Sequence, residues 1–150
     1  DGRTRGLVTG TRTNVLGTSS YITTLTLYDN KARPVQVKSI NYTGGIDIIT
    51  TQYSWSGQPL VVVSKQEKQG NNALALTTVT RNSYDALGRL VKTTKNVSST
   101  TGLSSGDKVI AVNKYDELGQ LAGKTLGATD VNGTAGAETQ AYDYNVRGWL

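Results

Sequence analysis

Apolar residues in this chain come in short runs that alternate loosely with Thr, Ser and Lys, and none keeps a helical period for long. Ten runs read as strands, over 7–13, 21–28, 35–42, 46–53, 60–67, 73–84, 90–97, 108–115, 121–126 and 137–142. Their boundaries are rich in Gly, Ser, Asn and Asp, the residues that favour turns. Joined in chain order, they predict an antiparallel meander. The alternation does not sort into one apolar and one polar face. Over 21–28, Tyr21, Thr23, Leu25 and Leu27 share one side, and Ile22, Thr24, Thr26 and Tyr28 share the other. Neither side reads as the wall of a deep core. The expectation is therefore an all-β protein, a repetitive hairpin meander forming a single curved, twisted sheet. Cross-strand pairs would hold it, each worth about 0.2–1 kcal/mol.

A phrase recurs at every second strand boundary. It reads Tyr28-Asp29-Asn30-Lys31-Ala32-Arg33, Tyr53-Ser54-Trp55-Ser56-Gly57-Gln58, Tyr84-Asp85-Ala86-Leu87-Gly88-Arg89, Tyr115-Asp116-Glu117-Leu118-Gly119-Gln120 and Tyr142-Asp143-Tyr144-Asn145-Val146-Arg147. The Tyr positions stand 25, 31, 31 and 27 residues apart, a period that marks a repeat architecture. Residues 1–150 are thus read as one array of about five hairpin units, with tips near 28–33, 53–58, 84–89, 115–120 and 142–148, and as a fragment of a longer protein. The turn chemistry explains the phrase. Asp opens a type I turn and accepts a bond from the amide two residues on, and Gly at the fourth place supplies positive φ for a bulge. Ser54 replaces Asp with a weaker acceptor. Ala32 stands where Gly belongs, and is expected either to cost about 1 kcal/mol in a left-handed conformation or to use another turn. In the fifth copy Gly148 stands one place late, which predicts a longer turn. The opposite-side connections, at 16–20, 43–45, 69–72, 98–107 and 128–136, read as unequal loops.

The two best-preserved phrases, Tyr84-Asp85-Ala86-Leu87-Gly88-Arg89-Leu90 and Tyr115-Asp116-Glu117-Leu118-Gly119-Gln120-Leu121, resemble the YD repeats of the Rhs family, Tyr-Asp-x-x-Gly-Arg-Leu. The closing segment, Tyr142 to Leu150, is similar to repeats of large Rhs-type proteins from Bacteroides-like bacteria. The resemblance spans essentially the whole chain. It implies a secreted or cell-surface protein whose repeats form a β-shell that encloses or presents a C-terminal effector. The partners it implies are the remainder of the same polypeptide and, in some members, carbohydrate. The repeat residues that carry it are Tyr28, Asp29, Arg33, Tyr53, Gly57, Tyr84, Asp85, Gly88, Arg89, Tyr115, Asp116, Gly119, Tyr142, Asp143 and Arg147.

Composition narrows the chemistry. There is no Cys and no His, so disulfides, thiolate nucleophiles and the usual zinc sites are excluded. Gly102-Leu103-Ser104-Ser105-Gly106 has the letters of an esterase elbow but neither a histidine base nor a following helix. Paired carboxylates could serve glycoside hydrolysis, yet Asp29, Asp85, Asp116 and Asp143 are accounted for by turns, and no loop has calcium spacing. The reading is non-catalytic, with no metal and no cofactor. The net charge of +5 is scattered rather than clustered, which argues against specific nucleic-acid binding. Three N-glycosylation patterns, at Asn41, Asn96 and Asn132, are read as chance matches. Trp55, Tyr144 and Trp149 sit at tips, where rings could stack on sugar faces, giving a carbohydrate-binding alternative. The outer strands are expected to be open edges prone to self-association.

Overall fold

The computed structural model describes residues 5–130, 132–145 and 148. Among them there are ten strands and no helix: β1 (Gly10–Asn14), β2 (Tyr21–Tyr28), β3 (Pro34–Ile40), β4 (Ile46–Tyr53), β5 (Pro59–Lys68), β6 (Leu74–Tyr84), β7 (Leu90–Ser99), β8 (Lys108–Tyr115), β9 (Leu121–Leu126) and β10 (Glu138–Ala141). They form one open sheet in strict chain order. The meander expected from the sequence is the fold. Four strands have the expected bounds and the rest differ by a few residues. The largest difference is β1, which starts three residues late because a turn with Gly6 at φ 83° precedes it.

The chain divides into two compact units. The first runs to Val79 and includes Val97–Ser104; the second comprises Thr80–Asn96 and the residues from Ser105. In the first unit, β2 pairs with β3 through Thr24↔Ser39 and Leu25↔Lys38, and β4 pairs with β5 through Ile48↔Lys65 and Thr50↔Val63. These registers put Leu25, Lys38, Ile48 and Lys65 on one side, and Thr24, Ser39, Asp47 and Gln66 on the other. Apolar and charged groups thus share a side, as the sequence pattern implied. In the second unit, β8 pairs with β9 through Val112↔Thr125, and β9 with β10 through Thr125↔Thr139.

Burial is sparse. Among the described residues only Gly45, Val112, Thr125, Ala128 and Gly133 are buried. Four of the five lie in the second unit, where the loop after β9 folds back. The Thr125 hydroxyl donates to the Gly133 carbonyl at 2.8 Å, and Gly133 sits against Val112. Elsewhere the strands are held by their ladders and by side chains lying along them. Leu25, Leu27, Ile40 and Ile46 of the first unit remain roughly half exposed.

One five-residue turn recurs throughout. Its first residue donates its amide to the carbonyl four places on, and the fourth donates its amide back to the first. Asp29, Ser54, Asp85 and Asp116 all close it with bonds of 2.8–3.1 Å. The fourth residue takes positive φ: Ala32 61°, Gly57 98°, Gly88 82° and Gly119 84°. A one-residue register shift follows at Leu27/Tyr28, Gln52/Tyr53 and Lys114/Tyr115, the bulge that fits such a turn to strand twist. Pro34 and Pro59 come directly after it as first residues of their strands, where a missing N–H is tolerated.

The opposite-side connections are less unequal than the sequence suggested. Asn41 and Ser99 build the same turn, with Gly44 and Gly102 in the positive-φ place. Their side-chain oxygens accept from the amides two and four residues on, at 3.0 and 3.2 Å for Asn41 and 3.3 and 3.2 Å for Ser99. Asp130 does likewise toward Asn132 and Thr134, with Gly133 in the fourth place.

Ala32 is a direct test of this geometry. It holds φ 61° without being Gly. Ala32→Gly is expected to raise stability by about 0.5–1 kcal/mol, the left-handed penalty less glycine's extra chain entropy. Urea denaturation reads the change, and an unaltered midpoint would mean that Ala32 carries no strain.

Candidate functional site

The most organised surface is the row of tips, where side chains strap one hairpin to the next. Two straps begin with the tip's own carboxylate. Asp29 Oδ1 accepts the amides of Lys31 and Arg33 at 2.8 and 3.0 Å, while its Oδ2 takes Arg33 Nε and Nη2 at 2.7 and 2.6 Å. Asp85 repeats this with the amides of Leu87 and Arg89 at 3.0 and 2.9 Å and Arg89 Nε at 2.7 Å. The fork is thereby aimed along the row. Arg33 Nη1 donates to the Ser54 carbonyl at 2.9 Å, and its guanidinium lies 4.8 Å from the Tyr53 ring centre. Arg89 lies 4.5 Å from the Tyr115 ring centre. A Cβ on Gly119 would fall 3.3 Å from Arg89 Nη1, so Gly serves the strap as well as the turn.

Tyr reaches the other way. The hydroxyls of Tyr28, Tyr53 and Tyr115 donate to the carbonyls of Val8, Pro34 and Leu90, at 2.7, 3.2 and 2.9 Å. For Tyr53 and Tyr115 the acceptor opens the strand that leaves the preceding tip. Tyr28, Tyr53 and Tyr115 therefore bond backward, while Arg33 bonds forward and Arg89 reaches forward to a ring. Tyr84 closes β6 at the corresponding place in the third copy.

The fifth copy is set differently from the sequence reading. Tyr144, not Tyr142, makes the backward bond, with its hydroxyl 3.1 Å from the Leu121 carbonyl. Gly148 donates its amide to the Asn145 carbonyl at 2.8 Å with φ 76°. The unit is thus Tyr144-Asn145-x-x-Gly148, with Gly in its ordinary place and the Tyr interval 29 rather than 27 residues. Tyr142 still belongs to the incoming segment, its amide bonded to Ala122 and its hydroxyl to Gln140. Tyr142 and Asp143 mimic the phrase two residues early. Arg147 and Trp149 lie outside the described residues. Gly6 marks a further turn that sequence reading missed, since no Tyr-Asp precedes it; the carbonyl of Val8, two residues on, receives Tyr28.

Of the expected stacking residues, Trp55 is 87 % exposed. Lys31 caps one indole face, its ammonium 3.4 Å from the ring centre and donating to the Trp55 carbonyl at 2.7 Å. The other described aromatic of that set, Tyr144, lines a groove of ≈ 500 Å³ in the second unit with Asp116, Leu118, Gln120, Tyr142 and Asp143. Among the described residues no three His, Cys, Asp or Glu side chains converge as a metal site. Ser104 of the esterase-like letters lies in an isolated bridge with Ser98.

Three turn carboxylates, Asp29, Asp85 and Asp130, are held below their ordinary range. For Asp29 the leading cause is the Arg33 side chain, for Asp85 the Arg89 amide, and for Asp130 the amides of Ala135 and Thr134. A depressed folded-state pKa contributes stability above the unfolded value of 3.8, and this is lost as pH falls through the folded value. Stability is therefore expected to hold down to about pH 4 and to fall below it. Asp130 has the largest shift. Asp130→Asn should flatten the acid limb of a urea-midpoint profile, and an unchanged limb would remove this residue from the account.

No protein-family model matches this chain, and no curated protein matches it.

Proposed function

We propose that the chain is a non-catalytic structural segment of a YD-repeat, Rhs-type scaffold. Its parent would be a large secreted or cell-surface bacterial protein, with the segment forming part of a β-shell that encloses or presents a C-terminal effector. The observation that carries this reading is the strap between neighbouring tips. Arg33, Tyr53, Tyr115 and Tyr144 of the recurring phrase spend their polar groups on unit-to-unit bonds, which is the work of a scaffold. A scaffold of this kind accepts or loses whole units, because each unit contacts mainly its neighbours. Removing 85–115 joins Tyr84 to Asp116 and deletes one period. The shortened chain should keep its β circular dichroism and a cooperative transition, whereas a deletion of half that length should not. Loss of folding in the whole-period deletion would count against the scaffold.

A second reading, carbohydrate binding at the surface, is favoured by the groove beside Tyr144. It combines tyrosine rings with Asp116, Asp143 and Gln120, which suits hydroxyl-rich ligands. A glycan array with wild type, Trp55→Ala and Asp143→Ala tests it. Silence across neutral and acidic glycans would overturn this second reading and leave the first standing.

A further inference from the structure

We propose that the groove between the fourth and fifth tips is a socket for a guanidinium group carried by a ligand. The first four tips match their first and fifth residues by charge, with one exception. Asp29 stands with Arg33, Asp85 with Arg89, and uncharged Ser54 with uncharged Gln58. Asp116 stands with Gln120. Gln58 has no carboxylate to answer at its own tip; its Oε1 accepts from the Ser54 and Ser56 hydroxyls at 3.0 and 2.7 Å. The fourth tip keeps the carboxylate and lacks the cation that accompanies it in the first and third.

The rest of the strap is built. Arg33 and Arg89 each lie between the Oδ2 of their own tip's aspartate, 2.7 Å from Nε, and the ring of a tyrosine one tip ahead. At the fourth tip Asp116 Oδ1 accepts the Gln120 amide at 2.7 Å, which closes the turn as before. Among the described residues nothing pairs with its Oδ2. Tyr144 supplies the ring. Its hydroxyl is anchored to the Leu121 carbonyl as that of Tyr115 is to the Leu90 carbonyl. Among the described residues no cation lies over it. The room matches too. A Cβ on Gly148 would lie 3.1 Å from Gln120 Nε2, as one on Gly119 would lie 3.3 Å from Arg89 Nη1. Gln120 thus takes the arginine's direction but brings neither its length nor its charge.

The space left is the groove of ≈ 500 Å³ already described, to which Asp143 adds a second carboxylate and Tyr142 a second ring. Two carboxylates beside two rings favour a cation over the neutral or acidic sugars of the second reading. Guanidinium is the cation that the sister tips select. Its planar fork meets a carboxylate edge-on while its face lies against a ring, which an ammonium point charge does not do. Arg33 and Arg89 both serve the tip ahead of their own. By that pattern the chain's own cation for this place would stand at position 120, which holds glutamine.

The test is a titration of the full chain with agmatine and with a capped glycine–arginine–glycine peptide, followed by NMR at the Tyr144 ring and the Gln120 carboxamide. One carboxylate contact and one ring should hold agmatine with a Kd on the order of 1 mM. Tighter binding of the peptide would place the source in an arginine side chain, and tighter binding of agmatine in a small molecule. Urea and a neutral disaccharide at the same concentration should move neither signal. Asp116→Asn keeps the turn acceptor and removes the charge, and should weaken agmatine about tenfold. Gln120→Arg fills the socket from within, so it should raise the urea midpoint and abolish the agmatine shifts. Agmatine that moves neither signal, a disaccharide that moves them in its stead, or wild-type binding by Gln120→Arg overturns the proposal. Shifts that appear only in Arg147→Ala would assign the socket to the chain's own arginine and overturn an external ligand. Should Asp116→Asn fail to fold, Gln120→Arg decides alone.

Discussion

Gly133→Ala is expected to destabilise the second unit by about 3 kcal/mol, combining left-handed strain with overpacking. Gly133 holds φ 66°, and a Cβ there would lie 2.6 Å from Val112 Cβ and 2.9 and 3.0 Å from its two methyls. Val112 is among the few buried apolar residues and cannot swing its own Cβ aside. The Gly133 carbonyl also receives the Thr125 hydroxyl, so a displaced loop loses that bond. Urea denaturation and amide exchange of β8 and β9 read the effect. Val112→Ala should not rescue it, because alanine retains the Cβ that makes the nearest contact. Full rescue by that second change would mean that the loop yields easily and that the clash is not the cause.

The same order of loss, about 3 kcal/mol, is expected for Gly45→Ala in the first unit, through overpacking alone. Gly45 has ordinary φ, but a Cβ would fall 2.1 Å from the Glu67 carbonyl oxygen and 2.8 Å from its carbon. Backbone in the next strand cannot rotate away as a side-chain end can. The displacement would also open a small polar knot. Asn41 Nδ2 donates to both the Glu67 carbonyl and Asp47 Oδ1, at 2.6 and 3.0 Å, and the Glu67 amide donates to Asp47 at 3.3 Å. Exchange should accelerate first at Glu67 and Gln69. Wild-type protection there in the variant would show that β4 and β5 can separate at this end at little cost.

Much of the fold was legible because turn chemistry is local. Asp or Ser followed at the fourth place by Gly fixes both ends of the hairpin loop, and the strands fall between. The same signal, applied without requiring Tyr in front, would have found Asn41–Gly44, Ser99–Gly102 and Asp130–Gly133. It would also have set the fifth copy on Asn145–Gly148 instead of on Asp143. Requiring Tyr-Asp favoured a decoy: Tyr142-Asp143 has the right letters, but Tyr144-Asn145 has the right distance to Gly. The straps were not legible. Whether Arg33 meets Tyr53 and the Ser54 carbonyl depends on strand register and on a rotamer fixed by Asp29, which no spacing along the chain specifies. The burial around Gly133 was hidden for a similar reason. Its loop reads as a flexible connection until Thr125 and Val112 are placed beside it.

The backward reach of tyrosine bears on how the chain is made. The hydroxyls of Tyr28, Tyr53, Tyr115 and Tyr144 find their acceptors 19 to 25 residues upstream, in a segment that has already left the ribosome when the tyrosine emerges. Such contacts close over short stretches of chain and need nothing still to be synthesised. Hairpins can therefore be laid down one upon another during translation, with Arg33 and Arg89 each reaching forward to the hairpin that follows. Assembly in the reverse order lacks this advantage, so the first units to appear should also be the first to gain protection.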